Sequence, residues 1–287
     1  MSFTEKKITA IFSMKGKNFA NGSNELTLSG LRMTATIESV GIHEMGACNL
    51  RIWGMKPEDM NTLATMSIRR GEHWNGLTLL AGDSSKGMAQ VFAGTIYDSF
   101  TDYNSLPDVA FCVDASPGWA EKMTPAAANS YRGTVNAAVI LQALASAAGF
   151  TFINNGVTVQ LTNHYLYGTL VDQINDVVRA AGIGCRLSNN TLEIFPSGGF
   201  THEDPIKLSR DTGLIGYPAF DPQGLAVTSV FNPDLAYGRR VTMISDIPQA
   251  CGDFNISTCL HSISCLVPGG PWFTSMRIWN DTVPRVY

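Results

Sequence analysis

Along most of this chain apolar residues alternate with polar ones, the period-two pattern of strands that bury one face. Near the amino end Ile8, Ala10, Phe12 and Met14 alternate with polar or small neighbours. Leu31, Met33, Ala35 and Ile37 do the same, with Arg32, Thr34 and Thr36 on the opposite face. Leu50 and Ile52 continue the pattern before Gly54. Pro57-Glu58-Asp59-Met60 then predicts a short helix, with Pro in its first turn and acids at the positive end of the dipole. Strands are predicted again over residues 77–80, 89–100 and 109–113. Ser116-Pro117-Gly118 and Pro125-Ala126-Ala127-Ala128 read as a linker.

The period then changes. Leu141, Leu144, Ala145 and Ala148 follow the i, i+3, i+4, i+7 rule for one apolar helix face, and Ile174, Val177, Val178 and Ala181 repeat it 33 residues later. Gly149 and Gly182 fall where a helix ends in a left-handed residue. Thr169 and Asp172 make a capping-box start for the second helix. After each glycine come two short alternating segments. Phe150 and Phe152 turn at Asn154-Asn155-Gly156 into Val157, Val159 and Leu161. Ile183, Cys185 and Leu187 turn at Ser188-Asn189-Asn190 into Leu192 and Ile194. The unit is helix, strand, strand, used twice, at 134–161 and 167–194. Two copies make a small α/β domain, since solenoids need about three or more repeats.

From Pro205 the strands return, broken by Gly or Pro every eight to twelve residues as in a small barrel or sandwich. The pieces are Asp211 to Pro218, the Phe231-Asn232-Pro233 step, Gly238 before a strand, and Pro268-Gly269-Gly270-Pro271-Trp272-Phe273-Thr274. In their order these resemble the carboxyl-terminal part of baseplate hub proteins from contractile-tailed bacteriophages. The sequence β module, α/β insertion, β module also resembles that family, so the likeness covers most of the chain.

The expected fold is therefore α+β, mainly β. Two similar β-barrel, tube-like domains (1–114 and 205–287) flank an inserted α/β domain (115–204) that carries the helix-strand-strand repeat. What the resemblance implies is a homotrimeric ring with pseudo-sixfold symmetry, two barrels per chain, joining a hexameric tail tube to a trimeric central spike. Its expected partners are the tail tube protein and the spike protein, with tape-measure and baseplate wedge proteins as further contacts. The expected location is the virion tail baseplate, after synthesis in the host cytoplasm.

Composition changes this picture little. Of 287 residues 15% are charged, against roughly 25% in average soluble proteins. So little charge suits a subunit whose surface is covered by partners. A net charge of −4 argues against nucleic-acid binding, and Lys6-Lys7, Arg69-Arg70 and Arg239-Arg240 are isolated pairs. The amino terminus lacks the apolar core of a signal peptide, and no apolar run has membrane-spanning length. Six cysteines without a C-x-x-C pair read as buried thiols.

Candidate chemistry is sparse. The five histidines, His43, His73, His164, His202 and His261, are scattered, and Pro205 sets His202-Glu203-Asp204 in a turn that does not suit a metal. No nucleophile elbow occurs; residues 82–87 read as a hairpin loop. Gly182-Ile183-Gly184 follows a helix, the wrong context for a dinucleotide. The expectation is no catalytic residue, no metal and no cofactor.

Two alternatives stay open. A tail-associated peptidoglycan hydrolase would draw its carboxylate pair from Asp98, Asp102, Glu203 and Asp204. A carbohydrate-binding tail module would expose its aromatics. Trp272, Phe273 and Trp279 are the candidate interface residues. Trp272, Thr274, Met276 and Ile278 alternate with Phe273, Ser275, Arg277 and Trp279, so one set faces an interior.

Overall fold

The computed structural model describes residues 4–64, 74–84, 87–104, 106–201, 204–222 and 224–280. The architecture is mainly β, with few helices. In chain order the first strands are β1 (Lys6–Ser13), β2 (Glu25–Leu28), β3 (Arg32–Ser39) and β4 (Ala47–Trp53). Helix α1 (Pro57–Leu63) follows, then β5 (Gly76–Asp83), β6 (Gly87–Asp102), β7 (Ala110–Ser116) and the short helix α2 (Trp119–Met123). The middle of the chain holds β8 (Asn129–Asn136), α3 (Ala137–Ala148), β9 (Thr151–Asn154) and β10 (Gln160–Leu166). After them come α4 (Leu170–Ala181), β11 (Gly184–Ser188) and β12 (Thr191–Phe195). The last strands are β13 (Ile206–Leu208), β14 (Leu214–Asp221), β15 (Gly224–Val230), β16 (Arg240–Met243), β17 (Gly252–Cys265) and β18 (Trp272–Trp279).

The chain divides into two compact units. One is built from Met1–Glu38, Ala47–Ala120 and His261–Trp272, the other from Ser39–Gly46, Glu121–Leu260 and Phe273–Tyr287. Neither unit is a continuous stretch of sequence.

In the first unit the antiparallel order is β2-β1-β5-β6-β7-β4-β3. Its inward face is the one the alternation predicts: Ile8, Ala10 and Phe12 on β1, Met33, Ala35 and Ile37 on β3, Leu77, Leu79 and Ala81 on β5, all nearly without exposure. The ladder shifts register between Leu79 and Leu80 and again between Ile96 and Asp98. Such bulges bend a long strand and let β6 follow a curved sheet. Helix α1 starts with Pro57, carries Glu58 and Asp59 in its first turn, and buries Met60 and Leu63. The Ser99 hydroxyl donates to the Leu63 carbonyl at 2.7 Å, satisfying a buried group at the helix end.

The second unit holds two cores. One lies under α3 and α4, where Leu141, Leu144, Ala145, Ile174, Val177 and Val178 meet Cys185, Leu192 and Ile194. Ile42, far away in sequence, belongs to the same cluster at 2% exposure. Both helices end on left-handed glycines, Gly149 and Gly182, and Thr169 with Asp172 forms the full capping box. Strand pairing departs from the hairpin expected after the first helix. β9 runs parallel to β12, and β10 pairs antiparallel with β8, so β9 and β10 do not pair with each other. The cause is local. Asn154 accepts from the Val157 amide at 2.8 Å and donates to the Val157 carbonyl at 3.2 Å, closing a side-chain turn. Val157 drops into the core at 2% exposure, and Asn155 N–H donates to the Ile194 carbonyl at 2.8 Å instead.

The other core belongs to the strands β13 to β18, in the order β14-β15-β18-β17-β16-β13. Leu225 and Val227 from β15, Met276 and Ile278 from β18, Phe254 and Ile256 from β17, Val241 and Met243 from β16, and Leu208 from β13 form one cluster. A sheet whose inner face, from β15 to the distant β13, meets in a single cluster is curled upon itself. No closing strand pair occurs among the described residues of either unit. Along β17 the buried positions move from even numbers, Phe254 and Ile256, to odd ones from Cys259 onward. The strand therefore turns over at Ser257-Thr258.

Candidate functional site

Strand β18 settles which half of the alternation faces inward. Thr274, Met276 and Ile278 are buried, whereas Phe273 is 43% exposed and Trp279 partly exposed. Trp272 is buried in the first unit, where the Lys6 ammonium sits 5.6 Å from its ring centroid. Lys6 also pairs with Asp83 at 3.2 Å. Phe273 lies in the second unit opposite Val230. Trp279 lies six residues along the strand from it, about 20 Å at ~3.4 Å per residue. Trp272 and Phe273 are thus consecutive residues of opposite burial, and Trp279 stands at the other end of the strand.

Trp279 borders the cleft of the second unit. This cleft has a volume of about 620 Å³ and is lined by Gly184, Phe195, Gly198, Tyr237, Asn255 and Trp279 among others. Each element delivers its part for a local reason. Gly182 ends α4 in the left-handed region so that β11 can start at Gly184. Phe195 is the last residue of β12 and is 4% exposed. Its ring fills the space that side chains at Gly184 and Gly238 would need; a Cβ on Gly238 would approach it to 2.6 Å. Tyr237 packs on Phe195 with centroids 5.8 Å apart. Burial, then the neighbouring Cys185 and Glu44, push the Tyr237 phenol above its ordinary value, so it remains a hydrogen-bond donor. Asn255 donates to the Gly198 carbonyl at 3.1 Å.

Beneath this cleft a polar network ties distant segments together. Arg186 pairs with Glu193, and its second nitrogen donates to the Tyr237 carbonyl at 3.0 Å. Asn155 donates to Glu193 at 2.9 Å. The Tyr237 amide donates to the Ser39 hydroxyl at 3.2 Å, and the Ile42 amide donates to the Cys185 carbonyl at 3.0 Å. Segments around residues 40, 155, 190 and 237 are held by a few hydrogen bonds.

Exposed aromatics outside the three candidates also appear. Tyr165 and Tyr167 on and beside β10 are 62% and 65% exposed, with rings 6.2 Å apart and 24° from parallel. Ile215, Tyr217 and Phe220 are exposed on β14, which ends the strand order of its unit. In the first unit Phe100, Tyr103 and Leu106 are exposed around the β6–β7 connection. The alternation of residues 214–220 carries a signal for the β14 group, since apolar side chains occupy both faces of that strand.

Of the carboxylates considered for hydrolysis, Asp98, Asp102 and Asp204 lie among the described residues. Asp98 faces Asp114 across the β6–β7 ladder, and Asn49 donates to Asp114 at 2.5 Å. Asp102 accepts from the Asn104 amide at 3.0 Å and so shapes the turn. The Asp204 carbonyl lies 3.4 Å from Arg239. Glu203 and His202 fall outside the described residues, as do His73 and the Arg69-Arg70 pair. Among the described residues no three metal-ligating side chains come together, and no helix is long and apolar enough to cross a membrane. Five cysteines are buried free thiols and Cys251 is exposed. Burial pushes the Cys259 thiol up to about 12 and raises Cys48 and Cys185 further.

Comparison with solved structures places this fold among tail proteins. A tail protein from Neisseria meningitidis MC58 matches with a TM-score of 0.64 at 12% identity, covering 99% of both chains. The 43 kDa tail protein of prophage MuSo2 from Shewanella oneidensis matches at 0.60 and 11% identity, covering 96% of this chain and 98% of that one. The c3393 protein of E. coli, a type VI secretion component similar in structure to T4 tail proteins gp27 and gp5, matches at 0.58 and 11% identity. It covers 94% of this chain and 77% of its own. A search of curated protein sequences finds no match. The fold is thus a mainly β one also found in phage tail proteins. More narrowly, the family model described as baseplate hub gp41 matches residues 8–265, and the chain belongs to that structural family.

Proposed function

We propose that this chain is a structural subunit of a phage baseplate hub, three copies of which close into a ring joining the tail tube to the central spike. Membership of the hub family over residues 8–265 carries the reading. Residues 1–114 and 205–287 would act as two similar tube-like domains, and residues 115–204 as the inserted domain between them. The separate cores under the helices and within β13 to β18 support the boundary between the last two of these. Two such domains in each of three chains would present six-fold contacts to a hexameric tube and three-fold contacts to a trimeric spike. Closed rings of this kind use head-to-tail contacts between different surfaces of neighbouring copies.

Exposed apolar groups on β14 and β18, namely Ile215, Tyr217, Phe220 and Phe273, offer such a contact surface. The role is structural, with tube and spike proteins as partners and the virion tail baseplate as location. Tape-measure and wedge proteins are the further partners of this reading. The test is the mass of the purified chain by light scattering, alone and mixed with tube and spike proteins. A trimer that retains both partners supports the reading. A monomer at high concentration that binds neither overturns it.

A further inference from the structure

We propose that the cleft walled by Tyr237 and Trp279 is a binding site for a neutral saccharide of one or two sugar units. Its volume of about 620 Å³ lies within the range of roughly 300–1,000 Å³ usual for small-molecule sites. The ligand class follows from the lining. None of the lining residues is Asp, Glu, Lys, Arg or His, so a charged ligand would lose its hydration without a counter-charge. A wholly apolar ligand fits no better, because it would bury the Ser197 hydroxyl and the Asn255 side-chain oxygen against carbon.

A sugar ring meets both conditions. Its C–H face packs on an aromatic ring, and its hydroxyls donate to and accept from amides and peptide groups. The walls are preorganised for this. Phe195, 4% exposed, braces Tyr237 from below with centroids 5.8 Å apart. The hydrogen bond from Asn255 to Gly198 fixes the amide plane at 3.1 Å. The inference stands apart from the ring assembly, since every residue belongs to the second unit of one chain.

The experiment is a titration of the whole chain with maltose and chitobiose, followed by calorimetry and tryptophan fluorescence. Wild type, Trp279→Ala and Tyr237→Phe are compared, with circular dichroism as the check on folding. The expected result is saturable binding of at least one sugar, weakened about tenfold or more in Trp279→Ala. Tyr237→Phe, which keeps the ring and removes only the hydroxyl, weakens binding by a smaller factor. Three outcomes overturn the proposal: no saturation up to about 10 mM, a millimolar affinity being already weak; equal binding by folded Trp279→Ala; or full competition by an uncharged tripeptide. The first leaves the trimer measurement untouched, so failure here and failure of the assembly reading are distinguishable.

Discussion

Arg186 and Glu193 hold opposite charges with side chains only 14% and 9% exposed, and Asn155 and the Tyr237 carbonyl take up their remaining hydrogen bonds. Removing one partner strands the other charge, which costs about 3–5 kcal/mol in buried pairs. Glu193→Gln is expected to lower unfolding free energy by about that amount in urea titration. The paired change Arg186→Met with Glu193→Leu is expected to recover most of it.

The thiols give a pH-dependent counterpart. Cys259 titrates at about 12 in the folded chain against 9.0 for a free thiol. Above pH 9 the unfolded chain gives up this proton while the folded chain keeps it, so stability falls as pH rises from 9 toward 12. Changing Cys259 to Ala is expected to make that fall less steep, the buried Cys48 and Cys185 keeping their share of it. A thiol reagent at pH 8 is expected to label one site per native chain, Cys251, and the remaining five only after unfolding.

Among the elements, helix ends obey rules local enough to be written in four or five residues. Thr169, Asp172, Gly149 and Gly182 could therefore be placed from sequence alone, and the structure has each in its predicted role. Thr169→Ala, which removes the hydroxyl that accepts from the Asp172 amide and leaves the backbone half of the capping box, is expected to cost about 1 kcal/mol by thermal or urea unfolding. Strand partners obey no such local rule. The Asn154-Asn155-Gly156 turn was legible, but its neighbour was not, because β9 chooses β12 some forty residues later. β8 has only Tyr131 and Val135 turned toward the core and no fully buried residue, so its alternation is too weak to mark it as a strand. The cleft was equally hidden: Tyr237, Asn255 and Trp279 come to one wall from separate stretches of the chain, and only the fold sets Tyr237 against Phe195. On β18 the alternation itself was visible, while which face was buried required the fold.

For the molecule as a whole, the segment Ser39–Gly46 carries more than its length suggests. It lies between two strands of the first unit in sequence, yet Ile42 is part of the helical core of the second. Ile42→Ala removes a fully enclosed side chain and is expected to destabilise the second unit by about 2–5 kcal/mol, read as loss of the helical circular dichroism signal. Similarly, His261–Trp272 returns from the last strands to complete the first unit. That interleaving has a consequence for biosynthesis. A ribosome delivers residues in order, and most chains let an amino-terminal domain mature while the rest is still being made. Here the first unit waits for residue 272 before its last piece arrives, so it cannot complete its fold while only its opening strands have been made.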